Sequence, residues 1–195
     1  MGVSIPSGYD GSPDRQPEVD DGISLYENFD CFYAWAKRLR DPLAYVEKHV
    51  SPENRRKHAV GFSVYYLAKT PRYTVRLHHY PSAGETEKDV HDHVFKSRSG
   101  VLGGTIYETV YDLEKAEQGD GALYCFDNIE GKQQIEDSDE KYKMKIAAVN
   151  ELRRGDTFDL LPGKIHSVAV SDAAITLMVK TTSQAFQKAL VIKSV

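Results

Sequence analysis

The sequence predicts a single mainly β domain, a barrel or a sandwich, with a short helical lead packed outside it. The first observation behind this is a run of strand-like segments. Phe62-Ser-Val-Tyr-Tyr-Leu, Tyr73-Thr-Val-Arg-Leu-His-His-Tyr and Thr105-Ile-Tyr-Glu-Thr-Val-Tyr are rich in β-branched and aromatic residues, as are Ala122-Leu-Tyr-Cys-Phe, Tyr142–Val149 and Ala174–Val179. The second is that turn signals separate them: Pro81–Gly84, Gly119–Gly121, Glu130-Gly131, Pro162-Gly163 and Ser171-Asp172. Many short strands at this spacing close into a barrel or stack as a sandwich. The third is order along the chain, because the helical pattern comes first and the strands follow, which suits one β-domain carrying a helical cap.

Before the strands, residues 1–22 are rich in Gly, Ser, Pro and Asp and are predicted to be a flexible tail. The single domain is then expected over 23–195, with a helical lead at 23–58 and the barrel at 61–195. In the lead, Phe29, Phe32, Tyr33, Trp35, Ala36 and Leu39 recur at helical spacing, and Leu43, Tyr45, Val46 and Val50 follow Pro42. Two short helices broken near Asp41-Pro42 are predicted. Trp35 and its aromatic neighbours are read as packing against the barrel. The basic cluster Arg38, Arg40, Arg55, Arg56 and Lys57 is read as a solvated face. Glu136–Lys141 is read as a polar surface loop; it lacks the glycine and closing glutamate of a Ca²⁺ loop.

Composition narrows the function classes. The 195 residues are 41% hydrophobic and 28% charged with a formal charge of −4, so no nucleic-acid footprint is expected. No apolar run approaches the roughly 20 residues that span a bilayer, so no membrane partner is expected. Met1-Gly2 is followed by Pro6 where a myristoylation signal needs Ser or Thr. No secretory pattern opens the chain, and a cytoplasmic location is the expectation. Cys31 and Cys125 lack metal-type spacing and are expected to be buried reduced thiols.

Two stretches carry chemistry. In Val90-His91-Asp92-His93-Val94, strand alternation would put His91 and His93 on one face, as adjacent donors to one metal. In the second, Gly155 precedes a strand, Pro162-Gly163 makes a turn, and His166 follows after two residues, so the turn delivers His166 to a defined place. Three imidazoles from two separated strands can then share one divalent metal and leave positions open for water or substrate.

These stretches resemble the paired motifs of the cupin superfamily. The first motif, G(x)5HxH(x)3–4E(x)6G, is met by His91, His93 and Gly104, with Ser97 at the glutamate place. The second, G(x)5PxG(x)2H, is met by Gly155, Gly163 and His166, with Pro162 one position late and Val170 in place of the closing asparagine. The resemblance covers roughly 61–182 and implies a double-stranded β-helix, the jelly-roll barrel. It also implies a three-histidine centre without a carboxylate ligand, which leaves the dication's charge uncompensated and favours anionic or chelating substrates.

Within that superfamily, His91-Asp92-His93 and Gly104-Thr-Ile-Tyr-Glu108-Thr109-Val-Tyr111-Asp112 resemble the thiol dioxygenases of cysteine dioxygenase type. Their late Ser-x-His-x-Tyr relay has no counterpart in Thr176-Leu-Met178-Val-Lys180, since Met relays no proton and Lys replaces no phenol. The metal ligands therefore carry over and the thiol substrate does not.

The resemblance implies a metal-dependent enzyme, an Fe(II) oxygenase or dioxygenase acting on a small polar or anionic molecule with O2. Zinc, nickel or manganese are alternative metals. A non-redox isomerase or lyase, or a binding cupin without catalysis, are alternative functions, and a homodimer is an assembly left to test. Arg76, His78 and Glu108 are the further site candidates. His78 and His79 point to opposite strand faces, so at most one faces the lumen; Arg76 shares the face of His78 and could clamp an anion, with Lys180 as second choice. Ile106 and Val110 share the face of Glu108, so that carboxylate is either buried and paired or perturbed and catalytic. Ser97 shares the histidine face, either to leave room or to hydrogen-bond a metal-bound ligand, while Lys96 and Arg98 face the other way.

Overall fold

A computed structural model describes residues 15–58, 61–81, 90–127, 133–182 and 188–193. The helical lead is α1 (Leu25–Ala36) and α2 (Pro42–His49). The Ser24 hydroxyl accepts the Glu27 amide hydrogen and the Glu27 carboxylate accepts that of Ser24, which starts α1 with a reciprocal cap. Asp41 caps α2 by a single bond, its carboxylate accepting the Ala44 amide hydrogen, with Pro42 at its first turn. At the other end of α2, the Arg55 guanidinium donates to the Val50 and Glu47 carbonyls, so one member of the basic cluster closes a helix end.

The strands are β1 (Arg55–Lys57), β2 (Ser63–Lys69), β3 (Tyr73–Tyr80), β4 (Val90–His91), β5 (Ser97–Gly103) and β6 (Thr105–Ala116). They continue with β7 (Asp120–Asp127), β8 (Gln133–Arg153), β9 (Thr157–Leu160), β10 (His166–Val170), β11 (Ala174–Thr181) and β12 (Lys188–Lys193). One sheet runs β1-β2-β3-β11-β5-β9. The other closes on itself in the order β10-β4-β12-β7-β8-β6, and the ring is sealed by β6 against β10. Each pairing is antiparallel. This is the curled, mainly β architecture of a cupin barrel with its helices outside.

Alternation sorts the open sheet into two faces. Tyr73, Val75 and Leu77 of β3, with Leu177 and Val179 of β11, pack on Phe29, Phe32, Trp35 and Val46 of the helices. Each large side chain buried there contributes about 1.5–3 kcal/mol. On the opposite face Val64, Tyr80, Val101 and Ala174 meet Ile106, Val168 and Val170 of the ring, which makes that face the barrel lumen. Gly100 lets α1 approach β5: a Cβ there would lie 2.4 Å from the Tyr33 ring, whose hydroxyl donates to the Val101 carbonyl at 2.9 Å.

Two regions differ from expectation. Residues 15–22 lie against the barrel. Gln16 donates to the Leu67 carbonyl, Asn28 to the Asp20 carbonyl and Thr70 to the Asp21 carboxylate, while Val19 packs on the outer core. Composition sees little to bury there, but polar side chains paired to backbone hold the segment. The residues before Arg15 fall outside those described. The supposed loop at 136–141 instead continues β8. Tyr124 pairs with Glu136 and Leu123 with Asp137, and Lys115 and Glu140 form a cross-strand ion pair at 2.5 Å. Opposite charges facing across strands make a polar ladder that periodicity of apolar residues cannot signal.

Cys31 is buried and free; the Cys125 side chain lies outside the described part. Among the described residues no helix is long and apolar enough to cross a membrane.

Candidate metal centre

His91 ends β4 and His166 begins β10, and these two residues are register partners, the one pair joining those strands. His93 lies beyond the two-residue strand β4, so simple alternation does not place it. Asp92 does: its amide donates to the Leu190 carbonyl at 3.0 Å and its carboxylate accepts the Leu190 amide at 2.7 Å, pinning the His-Asp-His stretch to β12. Burial raises the Asp92 pKa, while the Leu190 amide pulls the other way. On the other side, Gly163 takes a left-handed φ of 78° in the turn before β10, a conformation that suits glycine, and its amide donates to the His93 carbonyl.

The three imidazoles converge. Ring centroids lie 4.7 Å apart for His91–His93 and 5.1 Å apart for both His91–His166 and His93–His166. One ligand atom from each lies within 4.8 Å of the others, and the Nε2 atoms of His93 and His166 are 3.1 Å apart. Nitrogens each about 2.1 Å from one ion sit ~3.0–3.4 Å from one another, so His93 and His166 are already at the spacing of two ligands on one metal, with His91 close by. Burial, then the charges of His91, His166, Arg76 and Lys180, hold His93 well below the usual imidazole range. It is therefore neutral near pH 7, the form that ligates.

Glu108 stands behind His166. It is 1% exposed, accepts from Lys164 Nζ at 2.7 Å and Asn150 Nδ2 at 2.9 Å, and lies 3.3 Å from His166 Nδ1. That last contact falls short of hydrogen-bond geometry. Burial pushes the Glu108 carboxyl up, but His166, Lys164 and Asn150 outweigh it and hold the pKa at about 2. Glu108 is thus ionised and paired. With Nδ1 facing this carboxylate, His166 presents Nε2 to the other imidazoles, the arrangement of a carboxylate–histidine–metal triad. The sequence places Glu108 on a buried face, and its partners Lys164 and Asn150 were not singled out from it. The signal for Lys164 was its position between the Gly163 turn and His166.

The remaining candidates line the lumen face of the open sheet. Arg76 and His78 point inward and His79 does not: Arg76 Nη2 lies 3.2 Å from Met178 Sδ, and His78 is 5% exposed and packs on Phe62. Burial first, then the charges of Arg76, His58 and Lys180, keep His78 well below the usual range. Lys180 is on a central strand, with Nζ 4.0 Å from the Phe95 ring centroid; Phe95 in turn lies 4.7 Å from His93. Ser97 and Ser99 are buried on the same face, at 0% and 1% exposure. Lys96 and Arg98 face outward over Tyr26 of α1, as alternation requires. A cleft of about 380 Å³ beside α1, lined by Leu39, Arg40, Pro42 and Arg154 among others, includes none of the histidines.

The curled antiparallel strands, with helices outside them and three imidazoles converging where β4 meets β10, give the chain a cupin-like barrel fold with a candidate three-histidine metal site. No family profile and no curated protein matches the chain. Among solved structures it is similar to an RmlC-like cupin from Shewanella frigidimarina, at 14% identity and TM-score 0.42 over 70% of this chain and 93% of that one. KdgF from Halomonas sp. aligns at 10% identity and TM-score 0.42, over 67% and 89%. Streptomyces albus HEPD, solved with 2-hydroxyethylphosphonate and Fe(II) bound, aligns at 14% and TM-score 0.38, over 63% of this chain and 22% of that one. Likenesses this loose carry no weight for ligand or activity; the assignment stands on strand order, register and the histidine cluster.

Proposed function

We propose that the protein is a metal-dependent cupin enzyme, a non-haem Fe(II) oxygenase or dioxygenase acting on a small anionic metabolite. One observation carries the reading: three imidazoles converge at ligand spacing, with no carboxylate among them and two cationic side chains, Arg76 and Lys180, on the facing wall. When bound, the metal supplies open coordination positions for O2 and a chelating substrate. Arg76 orients an acidic group of the substrate through its planar fork. His78, neutral and buried, offers a hydrogen-bonding ring nitrogen to a polar group in the lumen. Glu108 is a positioning residue: its charge is committed to Lys164, Asn150 and His166, which fixes the tautomer and direction of one ligand.

An all-imidazole donor set suits zinc and nickel as well as iron. That feature supports a second reading, a non-redox isomerase or lyase in which the metal polarises a carbonyl. Metal analysis of protein purified without air or added metal, followed by oxygen uptake over a panel of small amino and keto acids, separates the two. Stoichiometric iron with substrate-dependent oxygen uptake is the expected result. Stoichiometric zinc with no uptake for any acid would overturn the oxygenase reading.

A further inference from the structure

The lumen face of the open sheet holds a row of polar atoms that no described residue answers. Ser97 Oγ, Ser99 Oγ and His78 Nε2 are buried and have no hydrogen-bond partner among the described residues. A buried hydroxyl without a partner costs free energy, about 1–3 kcal/mol, so two in succession on one strand call for an explanation. Both serines are on β5, about 7 Å apart along one face.

Register places cations beside them. Lys180 of β11 is directly opposite Ser97, and Met178 is directly opposite Ser99. On the other side of β11, Met178 faces Arg76, whose Nη2 contacts the Met178 sulfur. Across the sheet the rows therefore read Thr74–Lys180–Ser97–Leu160 and Tyr66–Arg76–Met178–Ser99–Phe158. Neither row contains an acidic residue. Asp159, one position along β9 from each row's end residue, turns outward to Arg98. One aromatic ring, Phe95, separates the Lys180 ammonium from His93, so the strip ends beside the histidine cluster.

We propose that Ser97 and Ser99, with Lys180 and Arg76 beside them, form a docking strip for an oxyanion. The substrate class that follows is a small bifunctional acid, chelated at one end by the metal and held at the other by the strip. Two hydroxyls, an ammonium and a guanidinium are all hydrogen-bond donors toward such a group, and no carboxylate on either row competes with it. This substrate class rests on the metal-dependent reading above, whereas the oxyanion strip itself does not require the metal.

The test uses the full chain in two states. First, protein stripped of metal by a chelator is titrated with propionate and with ethylphosphonate, followed by chemical-shift changes. At least one should bind, and Ser97→Ala and Ser99→Ala should each weaken it roughly tenfold to a hundredfold. Whichever of the two binds tighter names the oxyanion. The same variants should melt at or above the wild-type temperature, because each removes a buried hydroxyl that has no partner among the described residues. Second, protein reloaded with Co(II) should bind glutarate or 3-phosphonopropionate at least tenfold more tightly than the monoacids, since both ends are then engaged. If neither monoacid binds metal-free protein, or the double serine variant binds as wild type does, the strip is overturned. If the strip binds but Co(II) is not taken up, the strip stands and the metal-enzyme reading fails.

Discussion

On the histidine wall of the lumen, Glu108 accepts from Lys164 and Asn150 and faces His166. On the opposite wall, Ser97 and Ser99 are as deeply buried as Glu108 and have no partner among the described residues. The two walls teach different things. A wall whose buried carboxylate is held by two donors keeps that charge fixed behind a candidate ligand before any ion arrives. A wall that buries two hydroxyls without a partner among the described residues trades stability for something that arrives later.

The largest break in this comparison is at the ligands themselves. His91→Ala, His93→Ala and His166→Ala should each remove most of the bound metal while the β-rich circular dichroism spectrum persists. Full metal retention in any one variant would take that residue out of the site.

Next comes Glu108→Gln, which keeps the shape and removes the charge. Metal affinity should fall about 10–100-fold. The acid limb of stability should change too. The folded pKa of about 2 is below the ordinary 4.5. The stabilisation is therefore complete above pH 4.5 and is lost as pH falls from 4.5 toward 2. Its size is on the order of 3 kcal/mol. Urea unfolding at pH 3 and pH 6 should show a smaller difference for Glu108→Gln than for wild type; equal differences would clear Glu108 of the acid sensitivity.

On the serine wall, Arg76→Lys should weaken binding of a small dicarboxylate to metal-loaded protein by about 1.5–3 kcal/mol, with metal content and melting temperature unchanged. Unchanged affinity in both Arg76→Lys and Lys180→Ala would leave the metal as the sole cationic anchor. The smallest effect, about 1–3 kcal/mol in stability alone, is expected from Gly100→Ala on the outer face of the same sheet. There a methyl collides with Tyr33, and metal content should not move.

Much of the fold was legible because it is written in local pattern. The helical spacing of Phe29, Phe32, Tyr33, Trp35, Ala36 and Leu39 and the break at Asp41-Pro42 announce two helices, and the β-branched and aromatic residues of Tyr73–Tyr80 announce a strand with two different faces. The spacing from Gly155 through Gly163 to His166 announced the second ligand stretch, because a left-handed glycine turn fixes where the next strand begins. What was not legible depends on partners distant in the chain. Strand β8 runs through 136–141 on backbone pairing to β6 and β7 with the Lys115–Glu140 ion pair across it, residues 15–22 are held by single hydrogen bonds to β2, α1 and a neighbouring turn, and His93 is positioned by Asp92 on Leu190. Whether Arg76 or His79 faces inward is a question of strand phase. A lone strand shows that two faces exist, and only its neighbours say which one is the lumen.

The single register pair between β4 and β10 has one more consequence. His91 and His166 join β4 to β10 within the strand ring and are also two of the three candidate ligands, and among the described residues β4 is otherwise held by two pairs to β12. An ion gripped by both histidines would act as a latch on that junction. By linkage, a metal present at a thousand times its dissociation constant would bias the latched form by about 4 kcal/mol. Amide hydrogen exchange along β4 and β10 should then slow on metal addition, with little change along β3 and β11. Release of such an ion would then be coupled to separation of β4 from β10, and its rate should track the exchange of the amides on those two strands.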